Sequence, residues 1–371
     1  MTLRRALLTL HLWIGIVTAP ILLLTGLSGA VLAFQDELHD ALNARLTRVV
    51  PGPRALGLDE IERRLQTVHP GSHVALAVLP RDDAHSYVLT VADGAGGRWT
   101  LYVDQYTGRV IGTSAEARQT ALKINQFHQK LLAGRVGSAV VVWCTVALAF
   151  LALSGLWLWW PSKLFTVRWT ASGRRIVFDV HRALGAYTWA VLLVFALTGM
   201  AVHWIDGAEG LFAAATRSPR PAAPPPRSRA CVGQPSRPPD ALLASAAARA
   251  PGARPMMLQM PGPDDAAARV ALRYPEDRTP SGRTIVLVET CTGRATFVQS
   301  TRTAPPAYRL ARIWNRAVHT GQIGGWPTQV LACVFSLTLP LLSITGPLIW
   351  WQRQRRAATR RLDRLTAAES A

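Results

Sequence analysis

Four apolar runs, at about 7–34, 136–160, 181–204 and 327–351, decide most of what this chain can fold into. A helix needs ~20 residues to cross a hydrocarbon core of ~30 Å, and every run is at least that long. The chain is therefore expected to be an integral membrane protein whose spans form an all-α four-helix bundle. Arg4-Arg5 ahead of the first run resembles the start of a cleaved signal. The run is longer than a signal core, however, and its His11 recurs as His181 in a span that cannot be cleaved.

The spans repeat one another. Trp160 lies 32 residues after His128, and Trp351 lies 32 residues after His319. Glycines follow both histidines (Gly134 and Gly137; Gly321 and Gly324), and Ser154-Gly155 matches Thr345-Gly346 near the far ends. The other two spans match at an offset of 170: His11 with His181, Gly15 with Gly185, Ser28-Gly29 with Thr198-Gly199. The bundle is thus expected to be internally duplicated, two helices plus two, with a histidine heading each span.

Lys and Arg beside the spans set orientation. Arg4 and Arg5, the 161–180 loop (Lys163, Arg168, Arg174, Arg175) and the 353–371 tail belong on one, cytoplasmic side. The expected organisation is a first span at 1–34, an outer domain at 35–127, a second span at 128–160 and a cytoplasmic loop at 161–180. A third span at 181–204, an outer segment at 205–318, a fourth span at 319–352 and a basic tail at 353–371 complete it. Both termini are cytoplasmic. A net charge of +19 can signal nucleic acid. Here topology signals and contact with membrane lipids account for it, and no nucleic-acid partner is expected. Trp157, Trp159, Trp160, Trp350 and Trp351 at one level, and Trp204, Trp314 and Trp326 at the other, read as interfacial belts.

The segment 35–127 carries an amphipathic helix at 58–65 and alternating strands at 73–79, 86–92 and 99–103, with a glycine-rich turn at 93–97. It ends in Val103-Asp-Gln-Tyr-Thr-Gly-Arg109. A diluted copy follows at 242–250 and 284–288, ending in Val288-Glu-Thr-Cys-Thr-Gly-Arg294. Two small α+β outer domains are expected, the second degenerate. The stretch 213–239 is rich in Pro, Ala and Arg and reads as a linker. Cys231 and Cys291 share the outer segment, where oxidising conditions allow a disulfide; sequence alone does not place them together. Cys144 and Cys333 sit inside spans. No CxxCH motif is present for covalent haem attachment.

The motifs His11-x-x-x-Gly15, Tyr102-Val-Asp-Gln-Tyr-Thr-Gly108, His128-x-x-Leu-Leu-x-Gly134, His181-x-x-x-Gly185 and His319-Thr-Gly-x-x-Gly324 together resemble the PepSY-associated transmembrane family. The resemblance covers nearly the whole chain and makes the outer domains PepSY-like and periplasmic. It implies a bacterial inner-membrane protein that reduces a ferric siderophore, with two haem b groups held between the helices as in cytochromes b. Ionisable side chains at a bilayer suggest function, and haem b needs only two facing neutral imidazoles per group. His11 with His181 at the cytoplasmic end, and His128 with His319 at the outer end, are the expected iron ligands.

His203 breaks the repeat: it replaces an outer ligand, contacts a haem propionate, or is merely interfacial. Arg135, Arg182 and Arg316 either hold propionates or anchor the interface. His39, His69, His73 and His85 read as surface residues. No cytoplasmic strand–GxGxxG–helix context exists for a dinucleotide, so quinol or a cytoplasmic reductase is the expected electron donor. Two rivals stand beside this expectation. One is a non-enzymatic PepSY membrane protein that binds or regulates a periplasmic partner. The other is a transporter, which is disfavoured because the spans' middles are almost wholly apolar.

Overall fold

The computed structural model describes the chain apart from residues 1, 94–95, 115–118, 161–165, 220–230, 263–264, 280–281 and 370–371, and apart from side chains beyond 360. Lys163, Gly94 and Ala95 of the 93–97 turn, and the prolines at 221 and 224–226 fall outside the described residues. Two compact units are present, each assembled from separated stretches. One comprises 1–35, 122–208 and 315–371; the other comprises 36–121 and 209–314.

The first unit is built on four long helices: α1 (Leu3–Leu32), α2 (Gly134–Trp159), α3 (Gly173–His203) and α4 (Trp326–Glu369). Helix α1 packs on α2 and α4, and α3 packs on the same two. Only 17–28% of the residues in their most apolar windows are buried within the protein. Val17, Val136 and Trp143 are among the large apolar side chains left facing outward. Water would penalise that surface and lipid does not, so these are membrane helices. Small residues let α1 and α4 approach closely. A Cβ on Gly26 would meet Pro340 at 2.6 Å, and Ser336 donates to the Gly26 carbonyl at 2.9 Å. The basic tail continues α4 as helix rather than as irregular chain.

The second unit corrects the expectation of two separate domains. Its eight strands form one antiparallel sheet in the order β4-β3-β2-β1-β5-β6-β7-β8. The strands are β1 (His73–Val78), β2 (Tyr87–Ala92), β3 (Arg98–Val103), β4 (Val110–Thr113), β5 (Arg254–Gln259), β6 (Ala267–Arg273), β7 (Thr284–Glu289) and β8 (Ala295–Gln299). Pairing of Leu76 with Gln259 and Val78 with Met257 joins two four-stranded meanders through what would otherwise be two open edges. The second half is not degenerate in structure: like the first, it runs helix, then four strands.

One core serves both halves. Leu58, Ile61 and Leu65 of the helix Leu58–Val68 share it with Leu242 and Ala246 of the helix Pro239–Arg249, above Leu89, Leu258 and Val286. The two helices also cap one another. Asp240 accepts from the amides of Leu58 (2.9 Å) and Asp59 (3.1 Å), and Asp59 accepts from the amide of Asp240 (2.9 Å). The two Thr-Gly-Arg motifs make matching hairpins, with Gly108 (φ 68°) and Gly293 (φ 75°) in the left-handed region that glycine tolerates. A Cys231–Cys291 disulfide ties the chain ahead of Pro239 to the second hairpin. The expected linker begins later than 213, since helix Ile205–Thr216 fills its first residues. His85 is a further correction: it is buried, with Nδ1 2.5 Å from Asp82, rather than a surface residue.

Candidate functional site

The four span-heading histidines share one local geometry. Nδ1 of His11 lies 2.8 Å from Ser154 Oγ, and Nδ1 of His128 lies 3.0 Å from Ser28 Oγ. In the other half, Nδ1 of His181 lies 2.8 Å from Thr345 Oγ1, and Nδ1 of His319 lies 2.9 Å from Thr198 Oγ1. These hydroxyls are the ones in the repeated Ser-Gly and Thr-Gly steps. Each imidazole is therefore held by the helix that precedes or follows it within its own half of the sequence.

The hydroxyls reveal which ring nitrogen carries the proton. Ser28, Thr198 and Thr345 donate their one hydrogen to carbonyls of their own helices, at Leu24 (2.8 Å), Val194 (2.6 Å) and Leu341 (2.7 Å). Ser154 does so more weakly, to Leu151 at 3.4 Å. A hydroxyl whose proton is committed can only accept, so the imidazoles of His128, His181 and His319 donate through Nδ1–H. Nε2 is left with its lone pair, the form of a neutral histidine ligand.

The glycine of each step makes room for the ring. A Cβ on Gly29 would lie 3.2 Å from His128 Cε1, and one on Gly199 would lie 3.2 Å from His319 Cε1. On Gly155 and Gly346 it would lie 3.3 Å from Cε1 of His11 and His181. All four contacts are tight enough to push an imidazole aside.

The structure brings His128 and His319 together, with ring centres 6.4 Å apart and planes inclined by 57°. Two imidazoles this close would together be able to hold one metal, whose remaining ligands would have to come from a bound group. His11 and His181 both line a cavity of about 590 Å³ among the helices, with Gly15 and Gly185 also in its wall. The rest of the lining is largely apolar (Leu148, Leu151, Leu192, Leu342), as cofactor pockets are. His11 and Ser28 are 17 residues apart on α1, a rise of about 26 Å, so the two histidine pairs occupy opposite ends of the bundle. Among the described residues no group of three or more His, Cys, Asp or Glu could share a metal ion. The donor set is two imidazoles per site, which suits a metal whose other ligands come with a macrocycle.

The remaining candidates separate. Arg182 lines the cavity, and its Nε is buried without a hydrogen-bond partner. Arg135, Arg316 and His203 are exposed, and His203 meets Trp204 edge-on rather than joining the His128–His319 pair. Asp179 was not foreseen. It is fully buried and draws together Arg175 (3.1 Å), Arg182 (3.2 Å) and Arg168 (3.8 Å). A lone carboxylate in an apolar run, with arginines four residues before and three after, was the signal available for it.

Four long apolar helices with a hydroxyl-bonded imidazole at the head of each define an integral membrane protein. The chain belongs to the PepSY-associated TM region family, whose match spans residues 8–353. No curated protein matches it.

Proposed function

We propose that this protein is an inner-membrane reductase that passes electrons across the bilayer to a ferric siderophore in the periplasm and releases ferrous iron. In this reading both termini are cytoplasmic, the bundle is an internally duplicated two-plus-two arrangement, and the two halves of the sheet are PepSY-like and periplasmic. One haem b per histidine pair would supply one-electron carriers at the two ends of the bundle. His11 and His181 would hold the cytoplasmic group, and His128 and His319 the outer one.

The observation that carries this reading is the fourfold Nδ1–hydroxyl bond, which engages the same ring nitrogen of every span-heading histidine and leaves Nε2 as the nitrogen for a ligand. The protein's own residues account for the rest of the chemistry. Ser154, Ser28, Thr345 and Thr198 fix the tautomers, and the adjacent glycines set ring position. Asp179 holds Arg182 at the cavity, where its guanidinium suits a propionate. Leu148, Leu151 and Leu192 exclude water. Ferric iron prefers hard oxygen ligands, so reduction weakens the chelate and frees the metal.

The test is an optical spectrum of detergent-purified protein before and after dithionite, with pyridine haemochrome quantification. About two b-type haems per chain are expected, with His11→Ala and His319→Ala each removing about one. Colourless protein from haem-replete cells would overturn the reductase reading in favour of a non-enzymatic partner-binding protein.

A further inference from the structure

A second cavity, of about 480 Å³, lies between α1 and α4. Ile16, Ala19, Pro20, Leu23 and Leu24 line it from α1, and Ser343 and Pro347 from α4. All but Ser343 are apolar. Ile16, Ser343 and Pro347 also line the His11–His181 cavity, so the groove adjoins that cavity.

Pro20 and Pro347 both lie inside their helices. A proline has no N–H, so the carbonyl four residues earlier loses its helical donor. Those carbonyls belong to Ile16 and Ser343, two of the three residues shared by both cavities. Acyl chains of lipid cannot donate to them, and an unsatisfied carbonyl in hydrocarbon is costly. The groove therefore suits a flat apolar molecule that arrives from the bilayer and carries hydroxyl donors.

We propose that this groove binds the ring of a lipid-soluble hydroquinone, which donates its hydroxyls to the Ile16 and Ser343 carbonyls and is the electron donor of the reaction above. This donor role rests on that reading. Both O–H bonds of the hydroquinone break and its ring becomes the quinone. Its two electrons reduce two equivalents of ferric chelate to the ferrous state, and its two protons leave to water.

The experiment is photolabelling of the full-length detergent-purified protein with an azido-benzoquinone carrying a short isoprenoid tail, competed with decyl-benzoquinone. Labelled peptides containing 16–24 and 343–347 are expected. Leu23→Trp fills the groove and should abolish labelling. Pro347→Ala returns an N–H to the Ser343 carbonyl without filling space, and should weaken competition about tenfold. Labelling elsewhere, or labelling indifferent to both variants, would overturn the site. A second arm mixes the same protein with decyl-hydroquinone and, separately, dithionite. Reduction of the chromophore by both supports the donor role, whereas reduction by dithionite alone overturns it. Groove labelling on a colourless protein would sink the reductase reading while leaving the quinone site standing.

Discussion

The membrane unit and the sheet unit are both assembled from repeated halves of the sequence, yet the halves meet in opposite ways. In the sheet unit they close on each other: β1 pairs with β5, one core is shared, and Asp59 and Asp240 cap reciprocal helices. In the membrane unit the imidazole–hydroxyl hydrogen bonds run within each half, His11 to Ser154 and His181 to Thr345, while the two imidazoles face one cavity. A duplicated interface filled by its own backbone serves stability. One that keeps its donors for neighbours and leaves space between the halves is prepared for a ligand.

The largest expected departure from that contrast comes from Asp179, the one buried charge among the described residues of the membrane unit. Asp179→Asn leaves Arg182 and Arg175 facing a neutral amide in a buried setting. Arg175 and Arg168 are partly exposed, so solvent screens part of the loss, and thermal unfolding in detergent should shift down by several degrees. Replacing exposed Arg135 or Arg316 should leave unfolding nearly unchanged. Equal effects from all three would mean that Asp179 has no special structural place.

Next come the glycines beside the imidazoles. Gly199→Val or Gly346→Val places carbon where only 3.2 or 3.3 Å separates Cβ from an imidazole. Overpacking of this kind costs ~1–3 kcal/mol. The informative readout is local: if each pair holds a haem as proposed, Gly199→Val should perturb the visible spectrum of the His128–His319 site alone, and Gly346→Val that of the His11–His181 site alone. If either variant changed both sites equally, the separation of the ends would fail.

How much of this was legible beforehand differs between the two units for a physical reason. The membrane helices were readable because lipid imposes length and apolarity on each run, and the histidine offsets stood out against apolar neighbours. The Ser-Gly and Thr-Gly steps were visible as repeats. That their hydroxyls receive Nδ1–H required knowing which helices touch. The sheet was read poorly: β5, with its Pro255, and β6, with charged Arg269 and Arg273, lack clean alternation. Their pairing is dictated by tertiary neighbours rather than by local pattern. The single continuous sheet depends on β1 meeting β5 across more than a hundred residues of intervening chain, which no local signal encodes.

The smallest expected effect tests the closed interface itself. Desolvation, followed by the nearby Asp240 charge, raises the Asp59 pKa above its ordinary value of 3.8, even though the Asp240 amide bonds to it. For an acid with a raised folded-state pKa, the folded state binds more protons than the unfolded one just above pH 3.8. This group's contribution to stability is then fully present below that pH and is lost as pH climbs through the folded-state value. Asp59→Asn keeps an oxygen for the Asp240 amide and removes the like charge. It should change stability at neutral pH by less than about 1 kcal/mol and flatten the acidic end of the pH–stability curve. Asp59→Ala flattens the same region but also loses the cap, and should fall below Asp59→Asn by about 1 kcal/mol. Chemical denaturation of all three forms between acidic and neutral pH separates the two contributions. An Asn variant as unstable as the Ala variant would mean that the carboxylate's charge, not its capping oxygen, holds the two helices together.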